Sequence, residues 1–215
     1  MLFRAVLAAF SVLPALLGAG GALAHPHVWV TTRAVVLFEP DGRLKGIRHS
    51  WTFDEGYSAY ATQGLEGPDG QFKPDKLAEL AKINMESLTE QGFFTLAKAN
   101  GAKLTFAEPV DPRVTVEGGR MTLGFTLPVK EAGKTARIFS LEVYDPTFFV
   151  DFAIDPAADA VRLDGAPKGC ATTVRRPKPD AAAQSKNLSE SFLSALSSAS
   201  NVGAQFSSNV LVACP

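Results

Sequence analysis

Three histidines are the residues of this chain whose type and spacing most directly suggest chemistry. His25 and His27 stand two residues apart near the start, and His49 follows between Arg48 and Ser50. Neutral imidazole is the commonest metal-binding side chain in proteins. Side chains two residues apart in an extended segment point to the same side of the backbone. The first pair therefore predicts two converging imidazoles, although a solvated chain end would carry the same pattern.

Residues 1–24 have the pattern of a cleaved secretory signal. Arg4 precedes a long apolar stretch, and the segment ends at the small-x-small sequence Ala22-Leu23-Ala24. A transmembrane anchor needs about 20 apolar residues, whereas Pro14 and several glycines interrupt this one. We therefore expect a periplasmic mature chain, residues 25–215, that begins at His25 and contains no membrane span.

A hairpin is expected to bring the third histidine toward that terminus. The segment from Val28 to Phe38 alternates as a strand does, Asp41-Gly42 supplies a turn, and Leu44 to Phe53 reads as the returning strand. With the turn there, we expect His49 to pair near residues 30–32. All three imidazoles would then meet at one place.

Such a meeting point would suit a divalent transition metal. Three imidazoles with one open position are typical of accessible zinc sites, and nickel, cobalt and copper also accept imidazole. We predict zinc first, and binding that weakens below about pH 6, where histidine protonates. The predicted ligands are His25, His27 and His49, with Asp54 and Asp145 as further candidates.

A different copper chemistry is also open to the mature terminus. The α-amine and ring of His25 can chelate one ion, and a further imidazole would complete a histidine brace, as in copper carriers and oxidases. Pro26 has no backbone N–H, so the square-planar motif that uses a deprotonated second amide is blocked.

No G-x-S-x-G nucleophile elbow occurs in the sequence. We expect no enzymatic activity.

The two cysteines, Cys170 and Cys214, form an even pair in a chain expected to be exported, and such a pair predicts a disulfide. Closing a loop of about 45 residues would stabilise the fold by roughly 4 kcal/mol in the entropic account.

The overall charge excludes a nucleic-acid binder, because 21 basic residues stand against 22 acidic ones.

The remaining pattern predicts a single α+β domain over residues 25–215, a mainly antiparallel sheet or sandwich with one inserted helix and one C-terminal helix. The inserted helix starts at Pro74 and ends before Gly92, where apolar residues recur at helical spacing. Short β-rich runs separated by turn sequences fill residues 93–174. An apolar stripe over residues 188–196 predicts the second helix. A last strand follows at 206–212, so that segment 184–214 is tied down by the disulfide.

Five stretches carry a resemblance to a known family: residues 24–30, 47–55 and 141–149, and the two cysteine-containing segments 169–170 and 212–215. The chain resembles a bacterial periplasmic family of unknown function, often labelled a periplasmic component of an ABC-type transport system. The resemblance implies a place beside nickel, cobalt or zinc transporter genes, a membrane transporter or permease as partner, and no established enzymatic activity. The matching positions are His25, His27, His49, Cys170 and Cys214.

Overall fold

The computed structural model describes residues 27–130, 135–177 and 202–215. The predicted signal segment 1–24, His25 and the predicted C-terminal helix at 188–196 lie outside the described residues. In chain order the elements are β1 (Val28–Phe38), β2 (Leu44–Phe53), α1 (Glu55–Ala61), α2 (Pro74–Thr89), β3 (Thr95–Ala99), β4 (Ala102–Lys103), β5 (Val110–Glu117), β6 (Arg120–Pro128), β7 (Ile138–Val143), β8 (Val150–Ile154), β9 (Val161–Asp164), β10 (Ala171–Arg175) and β11 (Asn209–Ala213).

The first sheet has six strands in the order β5-β6-β2-β1-β8, and β9 also pairs with β1. The β1–β2 hairpin follows the sequence prediction at both strands, because a two-residue alternation of buried and exposed positions runs along each of them. The far edge of β1 pairs in parallel with β8 at its start and with β9 at its end. Parallel pairing was not part of the prediction, which gave only a mainly antiparallel sheet.

The second sheet has five strands in the order β10-β11-β7-β3-β4. Every pairing in it is antiparallel. The disulfide between Cys170 and Cys214 confirms the predicted pairing of the cysteines. It lies one step beyond the Ala171–Ala213 pair of β10 and β11, so it fastens an edge strand to its neighbour.

The fold is α+β as predicted, but two helices lie between β2 and β3, where the prediction gave one inserted helix. The helix α2 begins with Pro74 in its first turn, where a missing N–H costs nothing, and it buries Ala81 and Met85. The shorter helix α1 begins after Asp54, whose Oδ1 accepts a hydrogen bond from the Tyr57 backbone N–H at 2.9 Å.

Large side chains from both sheets make up one apolar core. Trp51 and Phe125 of the first sheet are fully buried, as are Phe139 and Leu141 of the second. The Trp51 and Phe125 rings meet edge to face, with centroids 4.9 Å apart, which is a favoured aromatic geometry. The inner faces of the two sheets meet beside His49 of β2, where Leu141 of β7 and Val210 of β11 line the same small cavity.

Candidate functional site

The register of the first hairpin separates His49 from His27, at the beginning of β1. His49 pairs with Ala34, and Val30 pairs with Phe53. The expected pairing of His49 near residues 30–32 was therefore wrong. His27 precedes Ala34 by seven residues, which is about 23 Å along an extended strand. The imidazole of His49, opposite Ala34 in the second half of β1, is therefore far from that of His27.

His49 also faces the core and not a solvent opening. Its side chain is 1% exposed. Its ring stacks on Phe125 with centroids 5.1 Å apart and meets the edge of Trp51 at 5.6 Å. The alternation of Ile47, His49 and Trp51 along β2 places all three on the buried face. That alternation is the signal in the sequence that predicts a core histidine here.

The hydrogen bonds of His49 assign its tautomer. Thr95 Oγ1 donates to the Phe93 carbonyl at 2.7 Å, so this hydroxyl can only accept from His49 Nε2, 3.4 Å away. The proton then sits on Nε2, and Nδ1 keeps a lone pair. Nδ1 is buried without a hydrogen-bond partner among the described residues. Burial lowers the pKa of His49 from 6.5 to about 3, because the charged form would lose its hydration.

His27 lies in a very different environment, directly before the first residue of β1. Its side chain is exposed, and its backbone N–H donates to the Phe149 carbonyl at 2.9 Å. The imidazole also lies against the Phe149 ring, with centroids 4.7 Å apart. The beginning of β1 is thereby fixed against the loop that precedes β8, and an imidazole is presented at the surface.

Asp54 lies at the same end of the first sheet. Besides capping α1, its Oδ2 accepts a hydrogen bond from the Trp29 backbone N–H at 3.0 Å, two residues after His27. Each carboxylate oxygen has two lone pairs, so these two bonds leave acceptor capacity. The capping role escaped the sequence analysis, although an aspartate directly before a short helical segment is its usual signal.

Asp145, the other predicted carboxylate, has a structural role. It is 5% exposed, and its oxygens accept hydrogen bonds from the Thr147 N–H at 2.8 Å, the Thr147 hydroxyl at 2.8 Å and the Val150 N–H at 3.1 Å. These bonds shape the turn between β7 and β8. Asp145 therefore orders the loop that carries Phe149 against His27.

The described residues give no complete metal site. Within ranges 27–130, 135–177 and 202–215, no three histidine, cysteine, aspartate or glutamate side chains are placed to hold one ion. The predicted ligand His25 is outside those ranges, so the ligand set of His25 with His27 stays a prediction. None of the helices in the same ranges is long and apolar enough to cross a membrane.

The fold defines a disulfide-linked α+β protein built from two packed sheets, and a disulfide fits an extracytoplasmic location. The chain belongs to the family described as a protein of unknown function, DUF1007, whose model matches residues 10–214. It is 25% identical over 207 residues to an uncharacterized protein of Haemophilus influenzae. That match covers 95% of this chain and 98% of the relative.

Proposed function

We propose that this protein is a periplasmic divalent-metal-binding accessory protein that serves a membrane metal transporter. The exposed imidazole of His27 directly before β1 is the observation that carries the proposal. His25 stands two residues earlier in the sequence, and an extended backbone there would put its imidazole on the same side. Nitrogen donors of this kind suit zinc, nickel, cobalt and copper. The ion is cargo, and no reaction is catalysed.

The proposed ligand set differs from a three-histidine cluster. His49 is left out because its ring is enclosed by Trp51 and Phe125. Asp54 is the available oxygen donor, since its carboxylate lies beside the Trp29 backbone and keeps unused lone pairs. Two imidazoles and one carboxylate form a common donor set for zinc, with the fourth position open for transfer of the ion to a partner.

A histidine-brace copper protein, a carrier or an oxidase, is the second candidate. The burial of His49 favours it, because only two imidazoles remain for this end of the sheet. The α-amine of a mature His25 would then supply the third nitrogen. In this candidate the cleaved terminus itself is a ligand, whereas the zinc, nickel or cobalt site needs only side chains.

The direct test is calorimetric titration of tag-free protein beginning at His25 with Zn²⁺, Ni²⁺, Co²⁺ and Cu²⁺. We expect His27→Ala to weaken binding at least about tenfold, which is 1.4 kcal/mol. His49→Leu is the matched control, since it removes a histidine that lies in the core. Equal affinity of the wild type and His27→Ala for all four ions would contradict the proposal.

A second preparation with one extra residue before His25 separates the two candidates. The added residue moves the α-amine away from the ring of His25 and leaves every side chain in place. Unchanged zinc, nickel or cobalt affinity supports the accessory protein. Loss of copper affinity, together with loss of the Cu²⁺ paramagnetic resonance signal, supports the brace.

A further inference from the structure

A group of arginines lies on the outer face of the first sheet, the face turned away from the second sheet. In one row across the strands, Arg113 pairs with Gly124, Gly124 with Ser50, and Ser50 with Arg33. In the next row, Val35 stands between Arg48 on β2 and Arg162 on β9. Residues two apart on a strand share a face, so both rows belong to one surface.

These side chains enclose a cleft, which we call the arginine cleft. It has a volume of about 220 Å³, whereas a single water needs only about 10–15 Å³ of such space. Four arginines line it against one acidic residue, Asp159, so the lining carries net positive charge. The basic side chains that line it are Arg33, Arg48, Arg113 and Arg162.

Arg33 is already engaged and forms the wall of the cleft. Its guanidinium contacts Asp155 at 3.1 Å and Asp159 at 2.7 Å, and the two carboxylates raise its pKa through hydrogen bonds. The same contacts fix residues 155–160, the connection between β8 and β9, against β1. Asp159 is thereby turned toward Arg33 and is not available to neutralise the other arginines fully.

Within the described ranges the other three arginines have no carboxylate in contact, and the pKa of Asp159 is lowered chiefly by its hydrogen bond to Arg33 and only lastly by the charge of Arg162. Among the residues that the structure describes, Arg48, Arg113 and Arg162 form no ion pair with a carboxylate. All three are exposed. Like charges brought together on a sheet surface repel one another, so this arrangement costs stability unless an anion binds between them.

Gly124 gives Arg113 its position. A Cβ built on Gly124 would lie 3.1 Å from Cζ and 3.2 Å from Nε of Arg113. The arginine side chain therefore lies across the bare backbone of β6 and extends toward Ser50 of β2. Any larger residue at position 124 would push this guanidinium away from the cleft.

We propose that the arginine cleft is a binding site for a phosphate group. Guanidinium groups recognise phosphate through paired, charge-assisted hydrogen bonds. A phosphate dianion offers more charge and more acceptor oxygens than a carboxylate, so it matches three arginines converging from β2, β5 and β9. The shared chemistry is a phosphate dianion, carried either by inorganic phosphate or by the headgroup of a lipid.

The arginine cleft is separate from the proposed metal site. Arg33 follows His27 by six residues along β1, which places it about 20 Å away. Loss of phosphate binding would therefore leave metal binding at the chain start unchanged, and the reverse also holds.

The test is a calorimetric titration of the full mature chain with inorganic phosphate at low ionic strength. We expect saturable binding that weakens at least about tenfold in Arg48→Gln/Arg162→Gln. Lys98→Gln/Lys103→Gln is the matched control: it removes the same charge from an exposed cross-strand pair of the second sheet. Gly124→Ala should weaken binding without any change of charge.

A second experiment, with lipid vesicles, identifies the source of the phosphate group. Phosphatidylcholine vesicles are compared with and without phosphatidic acid, and bound protein is measured by sedimentation. Binding to phosphatidic acid without binding of inorganic phosphate assigns the lipid headgroup, provided that the arginine double variant abolishes it. Binding of inorganic phosphate assigns the free anion.

Three results would overturn the proposal. The first is no binding of either phosphate probe by the wild-type protein. The second is an equal loss in the arginine and lysine double variants, which would indicate only the general field of the surface charges. The third is acetate binding as tight as phosphate binding, which would replace the dianion with a carboxylate.

Discussion

His49 and Phe125 face each other across the paired strands β2 and β6, with their rings stacked 5.1 Å apart. This contact makes the histidine part of the core. A neutral imidazole packed between aromatic rings contributes apolar contact area, but it must shed its hydration and does not take up a second proton, which would charge it, at ordinary pH. The consequences of that burial can be measured.

Stability should fall as the solution becomes mildly acidic. The pKa of His49 is about 3 in the folded chain against an ordinary value of 6.5, so between these values the unfolded state binds one proton more. The free energy of unfolding therefore decreases as pH drops below 6.5, by up to about 1.4 kcal/mol per pH unit. No other titratable side chain lines the small cavity beside the ring among the described residues, so none there offsets this loss of stability. The lining includes Thr32, Leu141 and Val210.

Urea unfolding at pH 7, 6 and 5 measures this slope, in a range above most carboxyl titrations. His49→Leu should flatten it, because the replacement cannot bind a proton and has a similar size. At pH 7 the same variant should lie within about 1.5 kcal/mol of the wild type. A slope that persists in His49→Leu would assign the acid sensitivity to another group.

The disulfide should contribute a large share of the stability. Cys170 and Cys214 close a loop with a sequence separation of 44 and hold β10, an edge strand, to β11. Replacing both with alanine should lower the free energy of unfolding by about 4 kcal/mol in the entropic account. Thermal unfolding of both proteins with and without reductant checks this, since reductant should affect only the wild type.

Asp54 should contribute to stability through two separable hydrogen bonds. Asp54→Ala removes the cap of α1 and the acceptor for the Trp29 N–H, and we expect a loss of about 1–2 kcal/mol. Asp54→Asn keeps one carbonyl oxygen for the cap and loses the acceptor at Trp29, so its loss should be smaller. Chemical denaturation ranks the two variants, and an equal loss would assign the whole effect to the Trp29 contact.

Two buried glycines of the first sheet should respond differently to alanine. A Cβ on Gly46 would lie 2.6 Å from the Leu127 backbone carbonyl oxygen, whereas one on Gly124 meets only the side chain of Arg113. Backbone cannot move aside as a side chain can, so Gly46→Ala should cost about 2 kcal/mol or more. Gly124→Ala should change stability by less than about 1 kcal/mol. Unfolding curves for the pair check this contrast.

The part of the fold that sequence reasoning predicts well is governed by local pattern. Strands β1 and β2 alternate over most of their length and flank an Asp-Gly turn, and α2 opens with Pro74. By contrast, Thr95–Ala99 lies in the region 93–174 where β-rich runs are expected, but its own lysine and alanines lack a β-rich pattern, and only Ala97 is buried. Its strand conformation comes from pairing with β7.

The candidate sites depend on strand register and strand order, which are harder to predict from sequence than the strands themselves. A pairing near residues 30–32 would bring His49 close to His27, whereas the observed pairing with Ala34, a few residues further along β1, keeps the two apart. The arginine cleft was missed for the same reason. Arg33, Arg113 and Arg162 lie far apart in sequence, and only the order of β5, β6, β2, β1 and β9 brings them to one surface.

The parallel partners of β1 have a consequence for assembly. Thr32 on β1 hydrogen-bonds to Ala153, 121 residues further along the chain. During synthesis, one edge of β1 therefore stays unpaired until β8 and β9 have been made. Such an edge can pair with strands of other molecules. Because distant segments must find each other before the sheet closes, folding should be slow, and a helper that shields the amino-terminal half would raise the yield of correctly assembled protein.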